Sequence, residues 1–533
     1  MAFPALPTNG QLYTDPSGRV WNYTAATLKW ETVGTAKKNN YVATVTPAAT
    51  NDSSQGYSVG SLWVDVTANL SYTCVDATAT AAVWQPMSQV YTGAAIINVP
   101  ADYATAELAY DSLLPYFLET DVTIQIANGT YGAVGNTVVH TFKDTMGAGR
   151  VIITGNITTA TSVIINTGGW SFDGCSKTVT VGGFKLLGTS ATVGNGLFAT
   201  NGSQISINHD IVVSTFGNAI ASSNTSNIVS TNANISVDTC NVAIQSTYTS
   251  TMTINGTGNI TCTGIVSYGV YADYCSSMIL VNTGTLTVAN VAGSTTGASI
   301  MCSGNSRMYI SGSSLALSGG NAGMQVEDGG EITCTSPTLT TTDTLYGIYC
   351  ATGGILNITS AITCTARVGS TGNGITVADS STISSTGAIT ISGFVNGIYD
   401  ADSSNINTNA GQLTISGFTG NGISCFLSSV ISNNNPATKI TGGQYGLQAS
   451  VSSTIFMLGG TITAATVNGV YSVNNSTIYI PGITVTNSFV GYVSNLNAWI
   501  LALNTNINNV GNTTNYNLAS NTASVDGSII TWT

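Results

Sequence analysis

Three near-copies of one phrase stand in a row: "NGITVADSSTIS" (373–384), "NGIYDADSSNIN" (396–407) and "NGISCFLSSVIS" (421–432). Aligned on the glycine, Asp379 and Asp402 occupy one position in neighbouring copies, and Asp328 occupies it two copies before Asp379. Asp400 falls on a different, otherwise small position, and Glu327 and Glu331 lie beside Asp328. If the copies stack as strands, Asp379 and Asp402 stand roughly 5 Å apart. A carboxyl pair within roughly 5–10 Å suits hydrolysis of a glycosidic bond, one group as acid and one as nucleophile or base. Two like charges held so close also raise one pKa, as a general acid requires. Two other readings fit the same residues. Aspartate in "ADSS" closes turns by accepting backbone N–H bonds, and stacked carboxylates can share a calcium ion.

Whatever these acids do, an unusual chain must position them. Only 6% of its 533 residues are charged, about a quarter of the usual share, yet 43% are hydrophobic, so this is not a disordered, charge-rich sequence. Between Ile440 and Val525 no charged residue occurs at all. Ser, Thr and Asn take over the surface, which is hydrogen-bonding but electrostatically quiet. A net charge of −12 with scattered Lys and Arg lacks the basic stripe that nucleic acid demands. No apolar run reaches the ~18–20 residues of a membrane span, so no membrane insertion is expected. The start, "MAFPALPTNGQLY", lacks the basic and apolar regions of a secretory signal. The cysteines form no C-x-x-C pair, and His140 and His209 stand alone, which argues against zinc; no metal or cofactor is expected.

The phrase recurs well beyond those three copies. About thirteen copies open at Gly196, Ala219, Ala243, Gly269, Ser299, Gly323, Gly347, Gly374, Gly397, Gly422, Gly446, Gly469 and Gly491. The period of about 25 residues is that of a solenoid. One position on runs an apolar column from Leu197 through Ile348, Ile375, Ile398 and Ile423 to Tyr492, and nine positions on another runs from Ile205 through Ile406 to Ile500. The column three positions on is small, as at Ala199, Ser222, Cys302 and Ala449. Offsets one and three share a parity, the alternation of a strand. Short strands without intervening helices predict an all-β, right-handed parallel β-helix. A leucine-rich repeat is the rival, weakened by the missing L-x-x-L-x-L pattern. A serine column (Ser203, Ser226, Ser250, Ser276, Ser306, Ser381, Ser404, Ser429, Ser453, Ser476) is a ladder; a nucleophile would be one residue, so this column is structural. Cys302 and Cys350 share a column two coils apart, about 9–10 Å, beyond disulfide reach. All ten cysteines are expected reduced.

The ends differ from the repeat. "ADYATAELAYDSLLPYFLETDVTIQIANGTYG" (101–132) predicts a capping helix with Asp102 as N-cap, Ala106, Ala109, Tyr110 and Leu113 on one face, and Pro115 ending it. The strand "VTIQIA" and a turn "NGTYG" follow. Four of the seven tryptophans, Trp21, Trp30, Trp63 and Trp84, crowd into the first 92 residues. They predict two small antiparallel modules with "DPSG" and "NDSSQG" as turns. The expected division is 1–50 and 51–92 for these modules, 93–132 for the capping helix and first strand, 133–505 for the β-helix and 506–533 for a C-terminal β segment.

The segments "GSLWVDVTANLSYTCVDATATAAVW" (60–84) and "VPADYATAELAYDSLLPYFLETDVTIQIANGTY" (99–131) resemble those of tail fibres and tailspikes of tailed bacteriophages, whose β-helices are pectate-lyase-like. The resemblance rests on motifs in residues 1–132 and on repeat architecture beyond. It implies a homotrimer on the virion, joined through its N-terminal region to other tail or baseplate proteins and touching a host cell-surface glycan. Some such proteins cleave the polysaccharide and some only bind it, and no catalytic residue carries over by motif. The lack of a signal peptide agrees with assembly inside an infected cell. Candidate site residues are therefore Asp379, Asp400, Asp402 and Asp328 for catalysis, and Tyr349 and Tyr399 among the outward tyrosines Tyr271, Tyr349, Tyr399 and Tyr471 for stacking on sugar. An attachment fibre, a polysaccharide depolymerase and a purely structural virion fibre all remain open.

Overall fold

The structure is a computed structural model that describes residues 7–14, 20–32, 38–67, 70–93, 95–282, 284–290, 297–312, 314–409, 411–495, 497–502, 522–525 and 528–532. The chain divides into two units. One comprises Met1–Ala95, Ser112–Asp121 and Thr145–Gly149, and the other Ile96–Asp111, Val122–Asp144 and Arg150–Thr533.

The larger unit is a parallel β-solenoid of the right-handed type with about 18 turns. Each turn contributes one strand to each of three parallel sheets. Sheet one runs from Ile96–Val99 and Val122–Ile126 to Trp499–Ala502, with Ser528–Trp532 paired onto its end. Sheet two runs from Gly129–Tyr131 to Ile483–Thr486, and sheet three from Val139–Lys143 to Val490–Asn495. The apolar columns are the core. Ile348, Ile375, Ile398 and Ile423 are consecutive partners on sheet three, each at most 1% exposed. Ile383, Ile406 and Ile431 do the same on sheet one. The stack exceeds the thirteen copies because further coils precede them, with Phe142, Trp170 and Phe172 inside; Gly169 already holds the opening position there, one residue before Trp170, the partner of Leu197. "NGTYG" is not only a turn: Gly129–Tyr131 is the first strand of sheet two, paired with Val163–Ile165.

The opening residue is small for a reason visible at Gly397. A Cβ there would sit 2.3 Å from Ile415 Cγ2, an inward side chain of sheet two in the same coil. Offsets zero and one therefore both face inward, and strand parity shifts by one at every opening residue.

Two further columns hold the corner between sheets three and one. In the serine column, backbone N–H groups donate to the hydroxyl of the next coil, as from Ser203 N to Ser226 Oγ (3.2 Å), Ser404 N to Ser429 Oγ (3.2 Å) and Ser453 N to Ser476 Oγ (3.2 Å). These serines are at most 3% exposed, so the ladder satisfies donors that water cannot reach. Just before it, two successive residues take a left-handed conformation in coil after coil: Asp379 and Ser380 (φ 53° and 62°), Asp402 and Ser403 (59° and 63°), Leu427 and Ser428 (53° and 64°), Val451 and Ser452 (57° and 61°). The second residue's N–H bonds to the next coil's carbonyl, as from Ser380 to Asp402 O (2.9 Å) and Ser403 to Leu427 O (2.9 Å). Aspartate and asparagine tolerate this region, but a β-branched valine does not.

All ten cysteines are free, nine of them buried. The helix is short, Ala106–Asp111. Ala106, Ala109 and Tyr110 are its buried residues, Leu113 lies buried beyond its end, and it stops before Pro115. Its cap is not Asp102. Thr105 Oγ1 accepts from Leu108 N (3.3 Å), whereas Asp102 Oδ2 accepts from Asn98 N (2.7 Å) and closes the turn before the helix. Strand Ile96–Val99 already pairs in the solenoid, so the helix is an insertion within the first coil. No helix among the described residues is long and apolar enough to cross a membrane.

In the smaller unit, Leu12–Thr14, Val20–Thr24 and Lys29–Thr32 make an antiparallel sheet. There Trp30 packs on Tyr13 and Tyr23 at 6.0 and 5.4 Å. A six-stranded sheet contains Asn40–Ala43, Leu62–Asp65, Leu70–Asp76 and Val83–Val90. Trp63 and Trp84 meet edge to face at 5.7 Å with Tyr57 against both. "NDSSQG" forms a 3-10 turn capped by Asp52, which accepts from Ser54 N (2.8 Å); "DPSG" lies outside the described residues, as does most of 506–533.

Two substitutions test this corner. Ser429→Ala removes the hydroxyl that accepts from the buried Ser404 N–H, and a loss of about 1–3 kcal/mol in denaturant unfolding is expected. Val451→Asn should raise stability by about 1 kcal/mol by relieving the left-handed strain; an unchanged or lower midpoint would contradict the backbone assigned to this corner.

Candidate functional site

The candidate acids separate into two environments. Asp328, Asp379 and Asp402 lie on the left-handed corner, exposed, at φ of 51°, 53° and 59°. Asp379 and Asp402 are one coil apart, bridged by the Ser380 N–H to Asp402 O bond, and Thr352 separates Asp328 from Asp379. At this corner it is the backbone carbonyls of Asp379 and Asp402 that accept from Gly353 N and Ser380 N. Turn closure is therefore main-chain chemistry, and aspartate suits the position through its backbone preference. No third ligand among the described residues joins the pair into a group able to hold a metal.

Asp400 faces the other way. It sits between Val377 and Cys425 in the inward small column and is 0% exposed. Its Oδ2 lies 3.9 Å from Cys425 Sγ, and Oδ1 has no hydrogen-bond partner. Burial pushes its pKa up to about 8, opposed only by the weak thiol contact. The barrier of the sheet thus separates Asp400 from Asp402, two residues on, and the two cannot work on one substrate.

The tyrosines come together in a way their spacing alone conceals. Tyr271, Tyr349 and Tyr399 all point outward from sheet three, but not on adjacent coils. Each of the first two has a companion three residues before it in the phrases "YGVY" and "YGIY". Ordinary alternation would put residues i and i+3 on opposite faces. The parity shift at the opening glycine puts both outside: Tyr268 and Tyr271 stack at 4.8 Å, and Tyr346 and Tyr349 meet at 5.5 Å. Between these aromatic rungs lie two coils with Ala298, Met301 and Ala322, which the tyrosines cover so that each is at most 5% exposed. Tyr399 instead packs on Phe426 at 5.6 Å.

Polar groups edge this surface. Asp273 accepts from Tyr271 Oη (2.6 Å), Ser303 Oγ (2.9 Å) and Tyr274 N (2.8 Å). Glu327, two coils on, accepts from Gln325 Nε2 (3.0 Å). Burial and, after it, the Glu327 charge raise the phenol pKa of both Tyr268 and Tyr349; burial and the bond to Asp273 do so at Tyr271. The phenols stay protonated, and that of Tyr271 donates to Asp273. Next to this face, Tyr248 and Tyr274 occupy successive corner positions with rings stacked at 4.6 Å, both about half exposed.

Sequence reasoning found Tyr271 and Tyr349, and Glu327 only as a neighbour of Asp328, but missed Tyr268, Tyr346 and Asp273; the repeated Y-G-aliphatic-Y phrase was the available signal. It also left His140 alone, whereas its Nε2 stands 3.2 Å from Asp111 Oδ1. No family model, curated protein or solved structure matches the chain.

The buried carboxyl makes stability depend on pH. A carboxyl whose pKa is raised on folding costs nothing below its unfolded value near 3.8 and progressively more as pH rises toward about 8. Asp400→Ser places at this position the residue already found at Ser222 and Ser246 in the same column. Its melting temperature is expected to match the parent near pH 4 and exceed it increasingly up to pH 8. A gain independent of pH, or a loss, would show that the Asp400 carboxylate has a stabilising partner.

Proposed function

We propose that this chain is an attachment fibre of a tailed bacteriophage, a homotrimer on the virion that binds a host-surface polysaccharide without cleaving it. The observation that carries the binding part is the pair of tyrosine rungs on sheet three. They stand three coils apart, roughly 14 Å at the strand spacing of a parallel sheet, and close over Ala298, Met301 and Ala322 between them. Flat aromatic faces beside hydrogen-bonding phenols, an amide and carboxylates suit a hydroxylated, extended ligand. The two acids at the edge, Asp273 and Glu327, disfavour a strongly anionic glycan there.

Trimer formation is supported by sheet one, whose outward positions expose Ile279, Tyr309, Ile355, Val430 and Trp499 on a face with few charges. Phage attachment itself rests on the resemblance in residues 1–132. Binding without cleavage is favoured over depolymerisation because Asp379 and Asp402 sit on an exposed corner and Asp400 is sealed inside.

Binding of the purified chain to a panel of bacterial capsular and lipopolysaccharide glycans tests this reading. Tyr271→Ala and Tyr349→Ala should each weaken binding by about tenfold or more, while Asp379→Asn and Asp402→Asn leave it intact and no new reducing ends form. Unaltered binding by both tyrosine variants would remove the site from sheet three, and release of reducing ends would make the chain a depolymerase.

A further inference from the structure

The first coils hold a second feature, away from the tyrosine rungs. A cavity of about 240 Å³ opens between the helix Ala106–Asp111 and the neighbouring strands, with Glu107, Leu108, Asp111, Tyr131, Val138 and His140 in its lining. Several of its neutral donors are committed to the protein. Tyr131 Oη donates to Ala127 O (2.8 Å), Asn136 Nδ2 to Asn166 O (3.2 Å), Asn166 Nδ2 to Gly132 O (3.1 Å) and Thr167 Oγ1 to Gly169 O (3.3 Å). Glu107 Oε1 accepts from Trp170 Nε1 (2.7 Å), which leaves its second oxygen. Asp111 Oδ1 lies 3.2 Å from His140 Nε2 with no hydrogen bond between them, and its side chain stays 43% exposed.

A cavity that offers acceptors and negative charge selects a ligand that brings N–H donors and positive charge. Glu107 and Asp111 are one helical turn apart, so their charges repel unless a cation lies between them. The Tyr131 ring adds a face to which a cation is attracted. The cavity's apolar lining reaches the surface, with Leu108 and Val138 both exposed. Such a lining matches an alkyl stem and not a hydroxylated sugar ring.

We infer that this cavity binds the side chain of a lysine from a partner polypeptide, its ammonium between Glu107 and Asp111 and its butyl stem along Leu108 and Val138. The site is independent of glycan binding on sheet three and stands or falls separately.

Calorimetric titration of the full chain with Nα-acetyl-lysine methylamide tests the inference. Saturable binding is expected, weakened by about tenfold or more in Asp111→Asn and in Glu107→Gln. Glutamine at 107 still accepts from the Trp170 indole, so circular dichroism of that variant should match the parent. The Nε-acetylated probe should not bind. Absence of saturable binding, equal binding of the acetylated probe, or unchanged affinity in both variants overturns the site. Glucosamine binding as tightly as the lysine probe overturns its assignment to a polypeptide side chain.

Discussion

Stacking in register is the constraint on which everything else here depends. Each coil lies on its neighbour at the spacing of hydrogen-bonded strands, roughly 4.8 Å, so a residue must fit the one above it and the one below it at the same offset. The requirement explains both the monotony of the sequence and its composition. A repeated charge would face its own kind along the whole stack, whereas Ser, Thr and Asn can bond to copies of themselves. Asn396 Nδ2 reaches Asn373 Oδ1 at 2.8 Å, and Asn218 Nδ2 reaches Asn195 Oδ1 at 2.8 Å. The serine ladder is the buried form of the same solution, and the low charge content follows from the fold.

Stacking also overrides local preference. Leu427 and Val451 would not choose a left-handed backbone, yet the corner built by Asp402 and Ser403 on one side and Asn474 and Asn475 on the other imposes it. Intercoil main-chain bonds such as Ser428 N to Val451 O (2.9 Å) offset the strain. Asp400 is a second override. A carboxyl in a column of Val377 and Cys425 is tolerated because it can stay protonated, and because one poor rung among many costs less than breaking the register.

These overrides mark what the sequence could and could not reveal. Columns that repeat were legible: Ile348 through Ile423, the serines, and the absence of any cysteine pair in reach. Features that do not repeat were not. Tyr268 and Tyr346 were hidden because the opening glycine allows two successive inward positions, which no simple alternation anticipates. The pairing of His140 with Asp111 joins a helix inserted in the first coil to a strand 29 residues later in the chain, and no periodicity points to it. Thr105, not Asp102, caps that helix, since the turn from Asn98 already engages the aspartate.

The same contrast separates inward from outward positions. Inward positions are fixed by their neighbours, so chemistry there is paid for in stability, as at Asp400. Outward positions of the sheets bear no such burden, and departures from the repeat on them carry information. On sheet three the outward column runs through Gln245, Tyr271, Met301, Gln325, Tyr349 and Thr376, with no single type kept. Large aromatic residues appear on this sheet in pairs, flanking two coils that carry Ala298 and Ala322 just before the opening residue. Beneath them the inward column of Val270, Ile300, Met324 and Ile348 stays buried on every one of these coils, so the tyrosines vary independently of the core and close over the smaller residues between them.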